Sequence, residues 1–278
     1  MPDQAGDLSI RFWGTRGSIA APGPDTVEFG GNTTCLEITA GKRRVIVDGG
    51  TGLRALGQHI AKTSDGEQVD IYLTHFHWDH IAGIPFFGPA YMDRFDVNFY
   101  AGHLDENRTV CQVLTDQMMA PLFPVPLKVF KGCAYHDFKA GERFDLDGGV
   151  RIRTCRLNHP NGACGYRIDH AGRSICIITD TEHVPGRTDE AIVDLVQGAD
   201  IMVYDAMFTD QEYPRFTGWG HSTWSEALRI ADIAGVRTVV PFHHDPNHSD
   251  AFLRQEEAAA QAQRPGTVFA REGTVLTA

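Results

Sequence analysis

An α/β fold is predicted by three features of this sequence. Short β-branched runs alternate with helical stretches, the alternation occurs in two similar blocks, and apolar strand-like runs in both blocks end in histidine or aspartate.

The first block opens with "LSIRFW", "TCLEIT" and "RVIVD", read as strands, continues into the helix "LRALGQHIAK", and closes on the strand "DIYLTH". The second carries the strands "VRIRTCRL", "GYRID" and "SICIIT", the helix "TDEAIVDLVQ" and the strand "DIMVYDA". Then come the helix "STWSEALRIADIA", stopped by Gly235, the strand "RTVVPF", and an Ala/Gln/Glu-rich helix from about 250 to 263. Between the blocks, residues 85–137 are rich in Pro, Met and Phe around one helix expected at about 104–119. This inserted apolar segment either packs on the core or serves as a lid or homodimer contact. There is no low-complexity linker, and the candidate ligands run from His75 to His243, so residues 1–278 read as a single domain.

With 278 residues, 42% of them hydrophobic, the chain can build a sizeable core. Its six cysteines include no CxxC pair and several lie in apolar runs, which predicts reduced, mostly buried thiols. "MPDQAGDLSI" has neither a basic start nor an apolar signal core, and no stretch approaches the ~18 apolar residues of a membrane span. The expectation is a cytoplasmic chain with no membrane partner. A formal charge of −11 disfavours a broad nucleic-acid-binding face.

The chemistry begins at "THFHWDH", residues 74 to 80. An extended chain turns His75, His77 and Asp79 to one side. If the strand stops near Trp78 and Asp79 caps a short helix, His80 swings back to join them. Downstream, His159 follows "VRIRTCRLN", Asp180 ends "SICIITD", and His243 and His244 follow "RTVVPF". His75, His77, Asp79, His80, His159, Asp180 and His243 make seven donors, too many for one zinc. They suit two ions about 3.5 to 4 Å apart sharing Asp180 and a hydroxide. His75, His77 and His159 would serve one ion, and Asp79, His80 and His243 the other.

The run from His75 to His80, with His159, Asp180 and His243, resembles the metallo-β-lactamase fold superfamily over roughly residues 10–245. That resemblance implies a four-layer αββα sandwich with a dinuclear site at its edge. Asp180 stands where β-lactamases carry cysteine, and His77 where flavodiiron proteins carry glutamate, which implies hydrolysis rather than redox chemistry. "GHSTWSEALRIADIAGVRTVVPFH" is similar to the branch containing ribonuclease Z and the cyclic phosphate phosphodiesterases. There the likeness implies that His221 protonates the leaving group and that Asp205, in "DIMVYDAMF", supports it. Asp79, His221 and Asp205 are therefore the expected catalytic residues. "FWGTRGSIAAPGP" and "FGGNTTCLEI" resemble the same branch and suggest Arg16, Asn32 and Thr33 as substrate contacts, with backbone N–H groups of glycine loops facing a phosphate. Asp48, in "VDGGTG", is expected to buttress a ligand rather than bind metal.

The expected function is hydrolysis of a phosphodiester, a small cyclic nucleotide or cyclic phosphate, by a hydroxide shared between two divalent ions. Zinc is the first choice, and manganese or iron also suit His/Asp donors. The alternatives are a lactone or thioester hydrolase on the same site, ribonuclease Z-like RNA processing, and a non-catalytic metal-binding domain. No Lys/Arg-rich arm of the kind ribonuclease Z uses to grip RNA is present.

Overall fold

Alternating burial explains the first strand: along β1 (Leu8–Gly14), Leu8, Ile10 and Phe12 are buried while Ser9, Arg11 and Trp13 are half-buried. The computed structural model describes residues 8–105 and 107–278. After β1 come β2 (Cys35–Ala40), β3 (Arg43–Val47), α1 (Gly52–Thr63), β4 (Gln68–Leu73), α2 (Trp78–Ile81), β5 (Asp96–Ala101), α3 (Val110–Gln117) and β6 (Cys133–Asp137). The second half runs β7 (Arg143–Leu146), β8 (Val150–Leu157), β9 (Ala163–His170), β10 (Arg173–Ile178), α4 (Glu190–Val196), β11 (Ile201–Asp205), α5 (Trp224–Ala234), β12 (Thr238–Phe242), α6 (Asp250–Gln263) and β13 (Val275–Thr277). One sheet has the order β13-β1-β2-β3-β4-β5-β6 and the other β12-β11-β10-β9-β8-β7.

The sheets pack face to face. Leu8, Ile10, Phe12, Ile38, Val47 and Tyr72 of the first meet Ile152, Tyr166, Ile168, Ile177, Val203 and Phe242 of the second. Each such apolar side chain gains roughly 1.5–3 kcal/mol on burial, and together they fix the sandwich. The outer face of the second sheet is covered by α4, α5 and α6 through Ile192, Leu195, Leu228, Ile230 and Leu253. The outer face of the first is covered by α1 and α3 through Leu53, Leu56, Ile60, Val110 and Leu114. These layers make the αββα fold.

Two local expectations shift. The short helix after "THFH" starts at Trp78 with His77 as its N-cap, earlier than the Asp79 cap expected, so Asp79 lies in the first turn. The helix expected at about 104–119 is confined to Val110–Gln117, because Thr109 and Gln112 form a capping box that starts it there. Residue 106 and the first seven residues of "MPDQAGDLSI" lie outside the described residues.

The 85–137 segment supplies β5, α3 and β6, and sends Phe95, Val97, Phe99, Leu127 and Phe130 into the core. Phe86, Met119 and Leu122 stay exposed. Cys35, Cys155, Cys164 and Cys176 are buried, and all six cysteines are free thiols. Among the described residues no helix is long and apolar enough to cross a membrane.

Candidate metal centre

Strand ends gather the donors. β4 ends at Leu73, and two bonds across the sandwich anchor the chain where it leaves that strand: Tyr166 Oη of β9 donates to the Leu73 carbonyl (2.6 Å), and Cys164 N donates to the Thr74 carbonyl (2.9 Å). "THFHWDH" therefore turns away against a fixed wall. From the facing sheet, His159 follows β8, Asp180 follows β10 and His243 follows β12. Asp180 (φ 60°) and His243 (φ 63°) both adopt a left-handed backbone, as does Asp48 (φ 65°). Such conformations are uncommon for side-chain-bearing residues and concentrate at functional sites.

The seven donors converge as His75, His77 and His159 in one group, and Asp79, His80, Asp180 and His243 in a second. Asp180 lies between them. Its Oδ2 is 3.3 Å from His80 Nε2 and 3.4 Å from His243 Nε2, while its Oδ1 is 3.8 Å from His75 Nε2 and 3.7 Å from His159 Nε2. Asp79 Oδ2 is 3.2 Å from both His80 Nε2 and His243 Nε2.

The next ring of contacts fixes which nitrogen faces inward. Asp48 Oδ2 accepts from His80 Nδ1 at 2.8 Å and is itself held by the Thr74 hydroxyl, while its Oδ1 accepts from Thr74 N at 2.7 Å. In the neutral ring His80 Nδ1 therefore carries the proton, and Nε2 is the nitrogen that faces the pocket and could ligate a cation. His159 Nδ1 donates to the Gly220 carbonyl at 2.8 Å, with the same consequence for its Nε2. Glu182 orients that carbonyl's loop by accepting from Gly218 N and Gly220 N.

These residues fit a divalent cation. His80 Nε2 and His243 Nε2 lie 3.3 Å apart, and His77 Nδ1 and His159 Nε2 3.0 Å apart. His75 Nε2 is buried without a hydrogen-bond partner. Burial pushes the pKa values of His75, His77 and His159 down, leaving neutral imidazoles with lone pairs to offer. Burial works against protonation of His80 too, yet Asp180, Asp79 and Asp48 outweigh it and raise its pKa well above the ordinary value. A pocket of that kind favours positive charge.

A further pair adjoins it. His221 Nδ1 lies 2.8 Å from Asp205 Oδ2, and Asp205 also accepts from Asp180 N (2.9 Å), Ser222 N (3.1 Å) and Met207 N (3.2 Å). The His221 ring centroid is 4.9 Å from that of His243 and 5.2 Å from that of His159.

Residues 43–244 match the family model described as the beta-lactamase superfamily domain. The chain belongs to the beta-lactamase superfamily. It is a metal-dependent hydrolase of that superfamily. It is 38% identical over 136 residues to ribonuclease Z of Gemmatimonas aurantiaca, a match spanning 49% of this chain but only 39% of that protein. With ribonuclease Z of Mycobacterium bovis it shares 26% identity over 286 residues, 94% of each chain. Among solved structures, the metallo-beta-lactamase fold protein YhfI from Bacillus subtilis superposes with a TM-score of 0.74 at 22% identity, over 98% of this chain and 100% of that one. At that identity the likeness is one of fold.

This superfamily member uses its N-terminal loops differently from the sequence expectation. Arg16 is fully buried, donating from Nε to the Gly30 carbonyl (2.7 Å) and from Nη1 to the carbonyls of His248 (2.7 Å) and Asp245 (3.0 Å). Bonded to three backbone carbonyls, and with Nη2 4.0 Å from Asp250 Oδ1, it braces the loop from within. Asn32 pairs with Glu272 and Thr51, and the buried Thr33 hydroxyl accepts from Thr51 N (2.8 Å), so both side chains brace the loop. The loop contributes backbone instead: Ser18 N donates to Asp79 Oδ2 at 2.7 Å. Gly17 is required beside it, because a Cβ there would lie 2.4 Å from the His243 ring. His244 turns away from the pocket, with Nε2 on the Ala270 carbonyl at 2.9 Å.

Thr74, Ser18, Glu182 and Gly220 escaped sequence reasoning. Their roles rest on contacts between distant segments that no local pattern encodes.

Proposed function

We propose that this chain hydrolyses a small phosphodiester, a cyclic nucleotide or cyclic phosphate, with two divalent ions held by the seven donors and zinc as the first candidate. The observation that carries this reading is the His221–Asp205 pair beside the donor cluster. Bound ions would supply Lewis acidity and an activated water. Asp180 would keep the two sites in register through its two oxygens, and Asp48 and Gly220 would hold the histidines in their ligating tautomers.

His221 would deliver the proton that the departing alkoxide needs. Burial opposes its protonation, but Asp205, then Asp180 and Asp79, raise its pKa to about 9. Nearby divalent charge would draw that value back toward neutrality, the range in which an acid catalyst works best. With Nδ1 engaged by Asp205, Nε2 is the nitrogen left to face the leaving oxygen.

A second reading, RNA cleavage, is favoured by the relatives named ribonuclease Z, one of which matches over 94% of its length. Against it stand the net charge of −11 and the lack of a basic arm. The deciding experiment is a rate comparison over 2′,3′-cyclic nucleotides, a transfer RNA precursor, bis(p-nitrophenyl) phosphate and a lactone, with metal content measured in parallel. Preference for the cyclic nucleotides upholds the first reading. A faster RNA reaction replaces it with the second, and a faster lactone reaction removes both.

A further inference from the structure

On the side of His75, His77 and His159 a cleft of about 740 Å³ opens, within the range of small-molecule sites. Its other walls include Phe76, His103, Arg108, Arg156 and Asn161, none of which the metal-binding reading employs.

Two of these residues carry polar atoms without a protein partner among the described residues. Arg156, exposed near the end of β8, has no carboxylate or other hydrogen-bond partner among the described residues. It stands three positions before His159, and its guanidinium lies over the turn beyond that histidine: a Cβ at Gly162 would be 2.7 Å from Arg156 Nη2. Gly162 also has φ +82°, so glycine suits that position twice over. His103 is only 6% exposed, and its Nδ1 is buried without a partner. The remaining charges of the cleft are engaged, Arg108 by Asp116, and Asp105 by Asn107 N.

A free guanidinium fork in a strongly acidic protein, beside a buried imidazole lacking a partner, has the chemistry of an anion site. Arginine binds phosphate through paired N–H groups, and a neutral imidazole can add one more donor. We propose that Arg156, with His103, binds a second phosphate group of the substrate, next to the phosphodiester that is cleaved. This rests on the phosphodiesterase reading and narrows it to nucleotides that carry an additional phosphate.

The test compares adenosine 2′,3′-cyclic phosphate with its 5′-phosphorylated counterpart, in wild type, Arg156→Gln and Arg156→Lys. The 5′-phosphate should lower KM about tenfold in wild type with little change in kcat. Arg156→Gln should bring that ratio to within about twofold, and Arg156→Lys should restore part of it. A merely structural arginine would slow both substrates alike and keep the ratio. Calorimetric binding of adenosine 3′-monophosphate and adenosine 3′,5′-bisphosphate to the same proteins separates this inference from the catalytic reading, since it needs no turnover. If neither cyclic nucleotide is hydrolysed yet the preference for the bisphosphate disappears in Arg156→Gln, the phosphodiesterase reading fails and the anion site stands. Equal binding of the two ligands by wild type, or a preference retained in Arg156→Gln, overturns the proposal.

Discussion

His221 is tied to Asp205 by a 2.8 Å bond through Nδ1, and the same carboxylate oxygen accepts the backbone N–H of Asp180. One buried aspartate thus positions both the proposed acid and the carboxylate between the two donor groups. A proton donor matters when a basic alkoxide leaves and matters little for p-nitrophenolate. His221→Ala should therefore retain its metal and lose on the order of 10² or more on a cyclic nucleotide, with a much smaller loss on bis(p-nitrophenyl) phosphate. Equal losses on the two substrates would make His221 structural.

Asp180 presents one oxygen to His80 and His243 and the other to His75 and His159. Asp180→Ala should accordingly lower occupancy at both sites in a metal analysis, whereas His244→Gln should leave both near the wild-type level. A protein fully active with one ion per chain would exclude the dinuclear reading.

Gly17 tests the geometry around His243 without replacing a ligand. A methyl group 2.4 Å from the imidazole must displace the ring or the loop, and the loop carries the Ser18 N–H that holds Asp79. Gly17→Ala should cut activity at least tenfold and weaken binding of one of two ions, as followed by competitive chelation. Normal titration of both ions would show that the loop can yield.

Acid should destabilise the fold through His244. Burial pushes its pKa down to about 3, so the folded protein keeps it neutral. A folded-state pKa below the unfolded value of about 6.5 stabilises fully above pH 6.5, and this stability is lost as pH falls toward 3. At pH 5 the loss is about 2 kcal/mol, from 1.36 kcal/mol per pH unit. Denaturant midpoints between pH 7 and 5 should fall less steeply in His244→Gln than in wild type, and parallel slopes would discard this account.

The convergence of the candidate donors was legible in the sequence because they cluster just after strand ends. "THFHWDH", "NHP", "ITD" and "FHH" put polar groups just beyond the ends of apolar runs, but β4 stops at Leu73 and Asp79 and His80 sit on α2, so strand pleating does not decide which of them share a side. Helix boundaries were less legible, since the cap at Thr109 competes with an apolar pattern that runs on past it. The burial of Arg16 in the N-terminal loops was illegible for another reason. A buried arginine bonded to three carbonyls and an exposed one facing a cleft look alike in sequence, and only tertiary burial distinguishes Arg16 from Arg156. Contacts such as Ser18 N to Asp79 or Tyr166 to Leu73 join residues 61 and 93 positions apart, beyond the reach of any periodicity.

His75, His77, Asp79 and His80 hang from the seven-stranded sheet, and His159, Asp180 and His243 from the six-stranded one. Any ion bound among them is a cross-link between the two halves of the sandwich at its open edge. Because such a site exists only when the sheets are aligned, ligation and alignment become one equilibrium, and each ion held at a hundred times its dissociation constant adds about 2.7 kcal/mol to the folded state. Metal supply would then govern how long the molecule survives as well as how fast it works, and a chelator would act first as a denaturant of that edge.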